Sequence, residues 1–161
     1  MAWAPSHVGA SQTSSTQDPT SPQEIERQSR KNIEELAALC KRFMQEKGKG
    51  VHYPRSFADL ITTPGYFTRK NLHLLVRPGD KHPVSRLVDM PRTSYEMAFD
   101  AVKAHRFTAD TPGELPMMWE IAAAHRGKRF VVYFDGTVKL ERTKVTDLIK
   151  RLKAGLPADN K

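Results

Sequence analysis

A reactive site would be built first from this sequence's six histidines, its one cysteine and its eighteen carboxylates. The histidines are His7, His52, His73, His82, His105 and His125. No two stand three or four residues apart, the spacing at which helical neighbours share a metal. The carboxylates form no loop of calcium-binding spacing. The single thiol, Cys40, excludes an internal disulfide framework and any site built on several thiolates. There is no glycine-rich phosphate loop and no G-x-S-x-G. One stretch remains, "HRGKRFVVYFDG", in which His125 is followed by nine residues and then Asp135-Gly136. A His–Asp pair does general-base chemistry when the acid orients the imidazole from within about 3 Å. The residues between them read as a strand rising about 3.3 Å per residue, which holds its ends roughly 20 Å apart. The pair is therefore expected to be structural, and no catalytic residue, metal site or cofactor is expected.

As structure, the stretch is two turns and a strand. Asp135-Gly136 between apolar runs marks a hairpin, because the tight turn needs positive φ that Asp tolerates and Gly prefers. "HRGK" forms the preceding turn around Gly127. His125 is expected to bond backbone groups where the earlier strand ends. A two-residue Asp135-Gly136 loop would pair Tyr133 with Val138 and Val131 with Leu140, giving an apolar face suited to packing against the long helix. The other face would carry Phe130, Val132 and Phe134, too apolar to meet bare solvent. The cover for that face is open between the N-terminal segment, the C-terminal helix and another protein. A one-residue bulge at the turn would exchange the faces.

The elements around this hairpin follow from capping and periodicity. "SPQE" places Ser21 at a helix N-cap, Pro22 at the first helical position and Glu24 three residues past the cap. Ile25, Ser29, Ile33, Leu36, Cys40 and Phe43 then form one stripe of a helix of about 25 residues. "KGKG" ends it, with Gly48 and Gly50 suited to the left-handed conformation. Cys40 lies on the stripe and reads as a core thiol. "SFAD" starts a short helix at Ser56 that runs through Ile61. "NLHLLVRPGD" reads as an extended segment closed by a Pro-Gly turn, and residues 81–93 as irregular. "SYEMAF", "MMWEI", "RFVVYF" and "TVKLE" are strand candidates, with a loop over 105–116. A last helix is expected from Thr143 through Leu152. The order is that of an α+β domain: a long helix on a small antiparallel meander, with a C-terminal helix added.

Composition bounds the rest. A chain of 161 residues, 39% hydrophobic and 27% charged, supports one domain with a core. Residues 1–20 are Ser/Thr/Gln-rich and read as a flexible or partner-bound tail, 21–156 as the domain, and 157–161 as a C-terminal tail. No apolar run approaches the roughly 20 residues of a membrane span. The start has no basic region followed by an apolar one, so no export signal is read there. The net charge is +8, and much of the excess lies from His125 onward. Those positive charges suit a solvated face, an acidic protein surface or nucleic acid. "HRGKRFVVYF" echoes basic–aromatic RNA-binding strands, but its aromatics alternate faces and the βαββαβ order is missing, so nucleic acid is disfavoured.

The succession of "HYPRSFADLI", "LLVRPGD", "SYEM" and "MWEI…HRGKRFVVYFDGTVKLE" behind a long helix resembles the G-type pseudopilins of type II secretion, in the branch carrying an H-x9-DG motif. The resemblance runs from about Ile25 to Glu141. It implies a pilin-like fold and a place in the periplasm or cell envelope; the absence of an export signal leaves the cytoplasm open. Family members begin with a basic leader and an apolar half-helix that anchors and polymerises them, and the Ser/Thr/Gln-rich segment stands in that place here. Position 77 is Arg where many members of the branch have Cys. No acidic calcium-binding loop of the family kind is recognisable.

The expected function is a non-enzymatic interaction module, a subunit or adaptor of a larger envelope-associated assembly. A trimmed pseudopilin ectodomain and a polyanion-binding protein are the alternatives. His125, Asp135 and Gly136 are structural in this reading. The expected interface is Phe130, Val132 and Phe134 with the basic residues Arg126, Lys128, Lys150, Arg151 and Lys153, facing a protein partner with an acidic surface.

Overall fold

The computed structural model describes residues 21–80 and 93–157. The expectations for the tails at 1–20 and 158–161, and for the irregular segment over 81–92, lie outside the described residues.

The first helix, α1 (Pro22–Glu46), begins where the capping signal places it. The Ser21 hydroxyl accepts the Glu24 N–H at 3.1 Å, and Pro22 occupies the first turn. The capping box is one-sided, because the Glu24 carboxylate pairs with Arg27 rather than returning to the cap. Ser29, Ile33, Leu36 and Cys40 are buried along the stripe, joined by Asn32, Ala37 and Leu39. The helix stops through two different devices. Lys49 and Gly50 take positive φ, at 56° and 75°. Gly48 does not; it is a place of close approach, where a Cβ would fall 1.9 Å from the His52 carbonyl oxygen.

Helix α2 (Phe57–Thr62) is capped by Ser56. The segment expected to be extended contains a 3₁₀ turn, Leu72–Leu75, that buries Leu74 and Leu75. Winding turns Leu74 and Leu75 inward together and leaves His73 exposed. Strand β1 (Tyr95–Met97) is shorter than "SYEMAF" suggests, because the chain turns directly into a one-turn helix, α3 (Ala98–Ala101). Strands β2 (Pro116–Glu120), β3 (Arg129–Tyr133) and β4 (Val138–Glu141) complete an antiparallel sheet in the order β1-β2-β3-β4. Helix α4 (Val145–Gly155) begins two residues later than Thr143.

The sheet lies between two helices. Pairing puts Met97, Met118 and Val132 in one cross-strand row, and the Cys40 thiol sits 3.9 Å from the Met97 sulfur, so α1 covers that face. On the opposite face Arg151 of α4 donates to the Tyr133 hydroxyl at 3.1 Å. Both faces of β2 and β3 are therefore covered, and every residue of the two strands is buried. An aromatic cluster closes one end of the core: Phe134 stacks on Phe107 at 5.5 Å, with Phe99 and Tyr53 against it.

The hairpin register differs from the expected one by one residue. Val132 pairs with Val138 and Phe130 with Leu140, rather than Tyr133 with Val138 and Val131 with Leu140. The loop has three residues, Phe134-Asp135-Gly136, closed by Tyr133 N–H to Thr137 O at 2.9 Å, with Gly136 at φ 90°. This is a type I turn followed by a left-handed glycine, the bulged alternative to a two-residue loop. Tertiary contacts favour it: Phe134 is drawn into the aromatic cluster, and the Asp135 N–H bonds the Gly113 carbonyl at 3.0 Å. As a result Val138 and Leu140 join Phe130 and Val132 under α1, while Lys139 and Glu141 lie beside Tyr133.

Candidate functional site

The two motif residues sit at opposite ends of β3 and do not meet. His125 lies just before the strand. Its backbone forms two hydrogen bonds with Lys128, at 3.0 and 3.1 Å, across a tight turn whose central residues Arg126 and Gly127 both have positive φ, 55° and 81°. That is a type I′ turn, which matches the twist of the strands it joins.

The imidazole partner is a side chain, not the backbone groups expected. His125 Nε2 lies 2.9 and 3.0 Å from the two carboxylate oxygens of Glu120, the last residue of β2. Glu120 is fully buried and also accepts the Phe130 N–H at 2.7 Å. The His125 ring packs edge-on against Phe130 at 5.1 Å. Arg77 approaches the same carboxylate at 3.8 Å, pairs with Asp80, and takes its own N–H to Ser94 Oγ at 2.8 Å. Ser94 in turn donates to Asp80 at 2.6 Å. A buried carboxylate requires this much company, since an unpaired one would cost several kcal/mol. The network ties the β2–β3 turn to the Pro-Gly turn after the 3₁₀ segment, and through it to β1.

Arg129 completes the anchor, and it is buried despite its charge. Its guanidinium donates to the carbonyls of Glu120, Ile121 and Thr143 at 2.7, 2.6 and 2.9 Å. The planar fork thus holds the end of β2 to the chain entering α4.

Asp135 is exposed at the far turn. Its carboxylate accepts the Thr137 N–H at 2.8 Å, and this bond holds its pKa below the ordinary range. Gly113 packs against it, where a Cβ would fall 2.9 Å from the Asp135 Cβ. Gly136 supplies the positive φ of the loop. The motif is therefore two separate pieces of punctuation, one at each end of the same strand.

The expected interface divides in the same way. Phe130, Val132 and Phe134 are at most 6% exposed and belong to the core. The correction is physical: α1 and the Tyr53–Phe99–Phe107 cluster cover that face, and α4 covers the other one. Arg126, Lys150, Arg151 and Lys153 are exposed, and Lys128 is half-buried. Lys150 and Lys153 make no ion pair with a described residue. Arg151 is partly committed to Tyr133, whose hydroxyl also donates to Glu141 at 2.6 Å.

The Glu120–His125–Arg77–Asp80 network escaped the sequence reading. One signal was available: Glu120 is the only charge in "PMMWE", and an acid inside an apolar strand needs a buried partner. Nothing local marked Arg77 or Asp80. Among the described residues no group of three or more His, Cys, Asp and Glu side chains could hold a metal ion, and no helix is long and apolar enough to cross a membrane. A groove of about 540 Å³ passes the imidazole, between Pro22 and Ile25 of α1 and Ala124–Arg126. Chemically, a carboxylate shared among an N–H, an imidazole and a guanidinium acts as a tie between elements. No family model, no curated protein and no solved structure matches the chain.

Proposed function

We propose that the chain is a non-enzymatic, pilin-like interaction module, a subunit or adaptor of a larger envelope-associated assembly that docks through the basic outer side of its C-terminal helix. The observation that carries the reading is the state of those cations. Lys150 and Lys153 project from α4 without ion-pair partners among the described residues, next to exposed Arg151. Unpaired cations on one helix face steer an acidic partner and favour its docking. Adjacent β4 is a terminal strand of the sheet, and its exposed Lys139 discourages strand-to-strand pairing there. Docking through side chains of α4 is therefore favoured over strand addition. The long amphipathic α1 on an antiparallel meander, with the H-x9-DG residues acting as turn anchors, supports the pilin-like part of the proposal.

A photo-crosslinking amino acid at Lys153 of the full chain, expressed in its native cells, tests it. The expected result is a discrete protein adduct that disappears with Lys150→Glu and is not formed from a crosslinker at Glu34 on the outer face of α1. Recovery of the protein only as an uncrosslinked monomer, or adducts that are chiefly nucleic acid, would overturn it.

A further inference from the structure

A second cationic site lies where the chain leaving α1 meets the chain leaving α3. Residues 51–55 and 103–109 run together there, joined by Tyr53 N–H to Phe107 O at 3.1 Å and Ala109 N–H to Val51 O at 2.7 Å. Between them is a pocket of about 410 Å³ lined by His52, Arg55, Lys103, His105, Arg106 and Phe107. Phe107 forms a rigid floor, since it is buried and stacked on Phe134. His105 stands edge-on to it at 4.8 Å.

Three of the lining groups are permanent cations and two more are imidazoles, with no carboxylate among them. Two acids flank the pocket, each already accepting a backbone hydrogen bond. Asp59 accepts the Arg55 N–H at 2.8 Å, and Asp100 accepts the Phe57 N–H at 3.0 Å. Arg106 carries the sharper sign: its Nη1 is shielded from water and has no hydrogen-bond partner. Burial and the neighbouring Arg55 act against its charge and outweigh the opposing pull of Asp59. The Nη1 group lacks an acceptor, and because the side chain lines the pocket, its rotation would bring Nη1 to an anion bound there.

We propose that this pocket binds a phosphate-type oxyanion, carried as a phosphomonoester, with Arg106, Arg55 and Lys103 as its ligands. Guanidinium forks match the paired oxygens of a phosphoryl group, and the lysine adds a point charge. The volume exceeds that of inorganic phosphate and falls in the range of small-ligand pockets, so it leaves room for the group that bears the phosphate. A free metabolite and a lipid headgroup present the same chemistry.

The experiment titrates the ¹⁵N-labelled full chain with glycerol 3-phosphate, and in a second arm measures co-sedimentation with phosphatidylcholine vesicles with and without phosphatidic acid. Saturable amide shifts confined to Arg55 and residues 103–107 are expected, weakened about tenfold or more in Arg106→Gln and in Lys103→Gln. Lys103 is exposed, so K103Q keeps the test valid if R106Q unfolds. Binding of the soluble ester alone supports the free-metabolite source. Co-sedimentation that requires phosphatidic acid and Lys103 supports the headgroup. No saturation in either arm by about 10 mM ligand, or binding unchanged in the double variant, overturns the proposal.

Discussion

Glu120 is the point at which the reading of the H-x9-DG stretch can be broken. Its carboxylate is fully buried, accepts the Phe130 N–H at 2.7 Å, holds His125 at 2.9 Å and faces Arg77 at 3.8 Å. Replacing Glu120 with Gln keeps the shape and one acceptor oxygen but removes the charge between two nitrogen bases. Breaking a buried charged pair costs about 3–5 kcal/mol, and stranding a buried donor costs about 1–3 kcal/mol. Because Gln retains part of the bonding, the expected loss is about 2–4 kcal/mol. His125→Ala removes the other half of the same interaction and the ring's contact with Phe130. The two losses should overlap, with a coupling of about 1–3 kcal/mol in a double-mutant cycle. His125 and Asp135 share no partner and sit at opposite ends of β3, so the effects of His125→Ala and Asp135→Ala should simply add. Urea unfolding followed by circular dichroism gives all of these numbers by linear extrapolation. Strong non-additivity between positions 125 and 135, or a Glu120→Gln protein as stable as the parent, would refute the assignment of His125 to Glu120 and revive the dyad.

Arg129→Met should lose about 3 kcal/mol or more, since it deprives three carbonyls of a charged donor; thermal melting checks this. Gly48→Ala should lose about 2–4 kcal/mol in the same assay, because its Cβ would overlap the His52 carbonyl at 1.9 Å. Arg126→Asn should gain about 0.5–1 kcal/mol, because Asn-Gly suits a turn whose first central residue sits at φ 55°; a fall in stability would contradict the type I′ assignment. Burial pushes the Asp100 carboxyl above its ordinary range, against the opposing pull of the Phe57 N–H and Lys103. A carboxyl raised in the folded state supports stability below its unfolded pKa and loses that contribution as pH rises through the folded value. Asp100→Asn should therefore raise the melting temperature at neutral pH, with the advantage vanishing below about pH 4.

The elements written in local signals were legible in the residues. Ser21-Pro22 starts α1, Ser56 caps α2, and the stripe from Ser29 to Cys40 names the buried side of the long helix. The separation of His125 from Asp135 was also legible, because strand rise fixes it. The hairpin register was not. Asp-Gly serves a two-residue or a three-residue loop equally well, and the choice fell to Phe107, Phe99 and Tyr53, which lie 27 or more residues away in sequence from Phe134 and hold its ring in the core. The long helix was expected on the Tyr133 and Val131 face, and its place over Phe130 and Val132 was hidden for the same reason. Alternation shows that β3 has two apolar faces, but not which helix takes which. The partner of His125, Glu120, stands only five residues back, but the charges that let that acid be buried, Arg77 and through it Asp80, lie 40 or more residues earlier in the chain.

What the sequence determined by itself is local: where helices begin and stop, where the chain must turn, and that one strand is apolar on both sides. Capping, positive φ and periodicity act over three or four residues and need no knowledge of the rest. What only the tertiary structure decided is pairwise and distant. It set the one-residue slip of the hairpin, assigned α1 and α4 to opposite sheet faces, and buried Arg129 as a clamp on three carbonyls. It also brought Arg55, Lys103 and Arg106 to one pocket. Those outcomes depend on which side chains fill a shared volume or share a buried charge, and such competition is resolved only when the segments meet.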